Sequence, residues 1–359
     1  MRRQPQISRW FMVCIVAGAI SACSDSTGPE HFDPVTTSNA ATEVLAAFDN
    51  NPALQALDVL GGAFPILGGQ VAPATSSPPL PGDRWPDEIG SGLLLLDRIG
   101  SFLNPASPAA IFPADFLGKT FVYNTETGKY EVAPDSVGAP ENGIWLKLYA
   151  VDPVLHRPLT PLDDIGYLEL TDESTASADA LGVLAVVNGI TYLDYVASAV
   201  QETGSVTFIA DGVLSDGTKE VQFTLSHEWS ETTGITVDYE ILVPTDDVLL
   251  DLYVNLDPQT ETLTLALTVH DDGETVLLAA TVTEATLDGA ISYEDDVVVN
   301  ISGTPQQPVF TDANEDELTN QELHALAALF GCIGLIFEGF DNLLIPAYLV
   351  FSISVFGGW

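Results

Sequence analysis

Several places along this 359-residue chain carry residue types whose spacing could support chemistry. The densest runs from Asp312 through Asn314 and Asp316 to Glu322. Oxygens from Asp312, Asn314 and Asp316 recur at every second position, so they can converge on one hard cation, and Glu322 can close the cage. Calcium is the cofactor that such a set would take. The same residues have a local reading, which is the stronger one: Thr319 to Glu322 spells a capping box ahead of an apolar run, and acidic side chains favour a helix N-terminus. A second place is His227-Glu228-Trp229-Ser230-Glu231, an imidazole beside two carboxylates. Metal ligands four apart face each other on a helix, whereas this segment alternates like a strand. His227 projects with Phe223, Leu225 and Trp229, so it is expected as a hydrogen-bonded core histidine. The acidic pairs Asp163-Asp164, Asp246-Asp247, Asp271-Asp272 and Asp295-Asp296 suit acid–base work on paper, but most sit in or beside expected turns, where Asp bonds its own backbone. Cys332 lies in an apolar stretch and reads as an inert thiol. No nucleophile elbow, P-loop, dinucleotide fingerprint or Cys-x-x-Cys pair occurs, so no catalytic residue is assigned.

The N-terminus carries chemistry of another kind. Arg2, Arg3 and Arg9 form a short basic region. An apolar run from Trp10 to Ala22 follows, too short to span a bilayer as a helix. It ends in Ile20-Ser21-Ala22-Cys23, which resembles the lipobox of bacterial lipoproteins. The resemblance implies cleavage after Ala22, a diacylglycerol thioether on Cys23 and acylation of the new amino group. Each buried methylene would add about 0.8 kcal/mol to the anchor. Ser24 after the cysteine, rather than Asp, leans by the usual sorting rule towards the outer membrane and away from inner-membrane retention. Two weaker likenesses stand beside this one. Residues 312–322 resemble a calcium-binding EF-hand loop with its central glycine position deleted, and His227-Glu228 resembles the start of a zinc-protease motif without its second histidine.

Charge narrows the partners. The whole chain has a formal net charge of −41, and removing residues 1–22 takes away three arginines and no acid, leaving −44. Such a surface repels nucleic-acid phosphates and anionic headgroups, so nucleic acid is excluded. With Cys14 lost in the signal and Cys23 lipidated, Cys332 is the remaining thiol and no intramolecular disulfide can form. The fold must rest on a core, and 46% apolar residues provide one.

The elements that would position these residues follow from periodicity. Residues 1–22 read as signal peptide, 23–37 as a flexible tether, and 38–359 as a single β-rich domain. Within it, 38–110 is helical or irregular: Ala41, Val44, Leu45 and Phe48 mark one helix face, Pro52 to Leu60 a second short helix, and the prolines of 71–86 a loop. Leu93 to Leu96 fits either helix or strand. Residues 119–302 read as an antiparallel sheet, opening with a hairpin at 121–133. From 181 onward, turn signals recur about every 14 residues, at Asn188-Gly189, Thr203-Gly204, Asp216-Gly217, Thr233-Gly234, Asp246-Asp247, Asp257-Pro258, Asp272-Gly273 and Asp288-Gly289. Strands of about 10 residues joined by tight turns predict an up-and-down meander. One face is dry (Val221, Phe223, Leu225; Val237, Tyr239, Ile241; Leu250, Leu252, Val254) and the other wet (Glu220, Gln222, Asp238, Glu240, Asp251). Residues 312–350 form an apolar helical C-terminal part, with Pro346 marking a break.

The fold class expected is therefore mainly β with flanking helices: a long-stranded antiparallel meander, curled or half-barrel, covered by N- and C-terminal helices. For function, the sequence supports a membrane-tethered exported lipoprotein on the periplasmic or surface face, its partners being the membrane through Cys23 and either an apolar ligand in the curled sheet or an envelope protein on a scaffold. Two alternatives come from other classes. One is an integral outer-membrane β-barrel, since dry–wet alternation over 10 residues and the terminal run Phe351 to Trp359 resemble barrel strands. The other is an enzyme with no site visible in the sequence.

Overall fold

Val, Ile, Leu and Thr alternating over nine to thirteen residues favour a pleated, half-buried surface, and from Asp179 to Val282 they build one hairpin after another. The computed structural model describes residues 44, 46–48, 51–63, 111–133, 138–152, 155–230, 232–271, 273–305 and 307–356. The expected signal region, Cys23, the expected tether and proline-rich loop, the start of the helix expected from Ser38, and Leu93–Leu96 lie outside the described residues.

Helices α1 (Pro52–Ala63), α2 (Asn320–Leu343) and α3 (Ile345–Phe356) accompany the strands. The first strands are β1 (Lys119–Asn124), β2 (Lys129–Val132), β3 (Gly143–Tyr149), the two-residue β4 (Val151–Asp152) and β5 (Arg157–Pro158), and β6 (Asp164–Asp172). The meander continues with β7 (Asp179–Val187), β8 (Ile190–Glu202), β9 (Ser205–Ser215), β10 (Glu220–Ser230), β11 (Gly234–Val243) and β12 (Val248–Asp257). It ends with β13 (Thr262–Asp271), β14 (Glu274–Val282), β15 (Leu287–Tyr293), β16 (Asp296–Thr304) and β17 (Gln307–Asp312).

Fifteen of these strands form one sheet in the order β17 through β6 by nearest neighbours, then β3, β1 and β2. The sheet is curled and open, with β17 and β2 at its two ends. Every pair from β6 to β17 is antiparallel, as tight turns require. The β1–β3 pair is parallel. β2 returns the chain to the start of β1, with Val132 opposite Phe121, and the Gly118 amide bonds the Gly143 carbonyl at 2.8 Å where β3 begins.

Two boundaries differ from expectation. Asp288-Gly289 is not a turn but lies inside β15, because the hairpin is closed earlier by Thr283, whose hydroxyl accepts from the Ala285 and Thr286 amides at 3.3 and 3.0 Å. Gly289 serves close strand approach instead: a Cβ there would come within 2.5 Å of the Ala279 carbonyl oxygen. The sheet also continues past 302. β16 and β17 pair from Val299–Asp312 to Thr304–Gln307, so Asp312 ends a strand. Both ends of the sheet are poor templates for a further strand: β2 has four residues with Lys129 and Glu131 exposed, and β17 contains Pro308 and meets the returning chain through a Thr311–Glu317 bridge.

The core lies on the concave side. Inner-face residues such as Leu225, Tyr239, Ile241, Leu252, Leu265, Leu278 and Ile291 are buried against Leu329, Ile336, Phe340, Leu343, Ala347 and Val350 of the C-terminal helices and Ala53, Leu57 and Leu60 of α1. The apolar run beginning at Leu323 continues through Glu338 and Asp341 as one helix, and the chain breaks at Leu344, whose amide bonds the Phe340 carbonyl, with Pro346 in the first turn of α3. Among the described residues no helix is long and apolar enough to cross a membrane.

Candidate functional site

Because strand side chains alternate, β10 sends His227 inward and Glu228 outward, and the two cannot share a ligand. His227 is 2% exposed and its Nε2 lies 2.6 Å from the Tyr239 hydroxyl on β11. The expected core histidine is thus present, with a partner on the neighbouring strand. Burial pushes its pKa down to about 3, so the ring is neutral. Its Nδ1 is buried with no hydrogen-bond partner. Rings close round the pair: Phe208 stands 5.9 Å from His227 and also touches Tyr348 and Phe351 of α3, while Tyr239 touches Phe337 and Phe340 of α2. The pair marks the seam between sheet and helices.

Two further polar side chains fix that seam. The Tyr195 hydroxyl on β8 donates to the Leu343 carbonyl at 3.0 Å, using one of the acceptors freed where α2 ends. Asn51 caps α1 by accepting from the Ala53 and Leu54 amides at 3.0 and 3.3 Å. Its amide nitrogen donates to the Ala47 and Ser215 carbonyls at 3.0 and 2.9 Å, tying the helix to the end of β9.

The acidic loop after β17 is organised by its own backbone. One Asp312 carboxylate oxygen accepts from the Asn314 and Asp316 amides, both at 2.8 Å, and these bonds hold its pKa below the usual carboxylate range. Glu322 accepts from the Thr319 amide and hydroxyl, both at 2.7 Å, and its own amide donates to the Thr319 hydroxyl, which completes the capping box. Asp312 and Glu322, the two ends of the calcium cage expected from sequence, are thus engaged by backbone and cap. Among the described residues no group of three or more His, Cys, Asp or Glu is arranged to hold a metal ion.

The convex face is wet and acidic. One register row runs Val196, Asp211, Thr224, Glu240, Asp251, and Glu240 stands directly opposite Asp251. Burial and then Asp251 raise the Asp238 carboxyl. No Lys or Arg follows Lys219 in the chain, so nothing cationic interleaves with the carboxylates of β10 to β17. Asp164 and Asp246, from the acidic pairs, instead bond Lys147 and Lys219 at 2.8 and 2.9 Å. Sequence reasoning missed Asn51 and Tyr195, since neither sits in a motif and each acts across more than a hundred residues.

Fold and site together define a class: an open, mainly antiparallel meander lined by its own helices, with a neutral His227–Tyr239 pair in an aromatic seam and an acidic exterior. The chain matches no family model, no curated protein and no solved structure.

Proposed function

We propose that this protein is an exported lipoprotein, anchored through lipid on Cys23 to the outer membrane, whose sheet-and-helix body serves as a scaffold for an envelope protein. The observation that carries the reading is Ile20-Ser21-Ala22-Cys23 at the end of a short apolar run behind three arginines. The body supports a tether over an integral barrel: the sheet is open, and its apolar face meets α1, α2 and α3 rather than facing outward. It supports a scaffold over a carrier of apolar ligands, because the concave side where such a ligand would lie is lined by the chain's own buried side chains. The wet exterior keeps the anchored body off anionic headgroups.

Export of the full chain and of Cys23→Ser in a bacterial host tests the anchor. The parent is expected to take up labelled palmitate and partition into detergent, and Cys23→Ser to lose the label and become aqueous. An unlabelled parent, or a variant that stays in the membrane through a high-salt wash, overturns the reading.

A further inference from the structure

Among the described side chains, His227 is the imidazole buried at the sheet–helix seam, and it faces a neighbourhood that cannot stabilise its charge. From β10, His227 meets Phe208 on β9, Val237 and Tyr239 on β11 and, beyond those rings, Tyr348 and Phe351 on α3 and Phe337 and Phe340 on α2. Among the described side chains the titratable groups in these contacts are Tyr239, bonded to its Nε2, and Tyr348, on the far side of Phe208, and neither is a carboxylate. The buried polar residues of the described chain are Asn51, Thr120, Ser215, His227 and Ser230, with no carboxylate among them. Protonation would place a cation between sheet and helices, with one nitrogen already lacking a partner.

We propose that His227 is an acid-sensitive latch, whose protonation releases the α2–α3 pair from the concave face while the antiparallel ladder persists. The ladder's hydrogen bonds do not pass through the seam, since they run strand to strand from β6 to β17. The helices meet the sheet across the seam, where the aromatic contacts around His227 and Tyr239 and the Tyr195–Leu343 bond lie among the buried apolar side chains of α2 and α3. The sign follows from linkage. An unfolded histidine titrates near 6.5 and burial pushes this one down to about 3, so the latch holds fully above 6.5 and weakens as pH falls between these values. The released state exposes a broad apolar surface on a protein that keeps its strands, a form known from acid-expanded states.

The test is an acid titration of the full mature chain and of His227→Gln, which keeps a polar partner for Tyr239 and every carboxylate. Three readings are taken together: ANS binding, far-ultraviolet circular dichroism, and amide hydrogen exchange in α2 and α3. In the parent, ANS binding is expected to rise and helix amides to lose protection while the strand signal stays. In His227→Gln the same change is expected about one pH unit lower or to vanish. Superimposed curves overturn the latch, as does simultaneous loss of strands and helices. Should His227→Gln not fold, the imidazole signal of the parent decides: protonation in step with helix exposure supports the latch, and protonation while α2 and α3 remain protected overturns it.

Discussion

Along β10 and β11 a single residue step separates two environments with opposite electrostatics. Phe223, Leu225 and His227 face the helices in a dry seam, while Gln222, Thr224 and Glu228 face water, as do Asp238 and Glu240 beside Tyr239. In the seam, burial suppresses charge: the histidine is held neutral. On the convex side charge is kept and crowded, with Glu240 opposite Asp251 and the Asp238 carboxyl raised. The two sides answer acid oppositely. Lowering pH loads the seam with a cation it cannot solvate, and it relieves the convex side, because a carboxyl whose folded pKa is raised costs stability once pH rises through that value. The comparison locates stability in the seam and leaves solubility to the exterior.

The largest effect should come from breaking the seam's packing. Phe340 is fully buried and touches Phe48, Phe223 and Tyr239 within 5.1 to 5.6 Å between ring centroids. Phe340→Ala is expected to cost about 3–5 kcal/mol in urea unfolding, since those three rings cannot all collapse into the space left. A loss under about 1 kcal/mol would mean that the helices contribute little to holding the sheet. Asn51→Ala comes next, at roughly 2 kcal/mol: it removes the cap of α1 and leaves the Ser215 carbonyl without the side-chain bond it accepts. Thr319→Ala tests a solvent-exposed cap and is expected to cost about 1 kcal/mol, with faster amide exchange confined to the first turn of α2. The ratio of these last two sharpens the contrast between a cap that is buried and one that is wet.

Much of the wet–dry division was legible in the sequence, and the reasons it failed elsewhere are physical. Alternation placed Val221 through His227 and Val237 through Ile241 on the correct face, because a period of two is imposed by the pleat. Asn188-Gly189 located its hairpin because both residues adopt positive φ, 52° and 80°, which few other residues tolerate. Asp288-Gly289 carried the same signature for a different cause, strand crowding, while the true turn used a threonine hydroxyl. The β15–β16 turn at Glu294 and Asp295 also has positive φ, 47° and 74°, without a glycine to announce it. The final hairpin is hidden in turn, and Asp312, which periodicity assigns to the helical C-terminal part, ends β17 instead. At the seam, His227 was legible as an inward residue. Tyr239 was legible on the same face, but their bond depends on register, which no local pattern states.

The smallest expected effect tests the convex side directly. Asp251→Asn removes the charge facing Glu240 and the charge that helps raise the Asp238 carboxyl. Like charges directly opposite in a sheet cost a few tenths of a kcal/mol, so the variant is expected to gain about 0.2–1 kcal/mol at low salt. Screening shortens the reach of charge to about 3 Å at 1 M salt, and the gain should fade there. Two measurements separate repulsion from burial. The carboxyl titration of Asp238, followed by NMR, should move down towards its ordinary value in the variant but not reach it, because desolvation is the larger cause of its shift and is untouched. The stability gain should also shrink as pH falls, since protonation already removes the repulsion in the parent. A gain that persists in 1 M salt, or an Asp238 titration that does not move, would place the cost of this face in packing rather than charge, and the contrast between the two sides of the sheet would no longer be electrostatic.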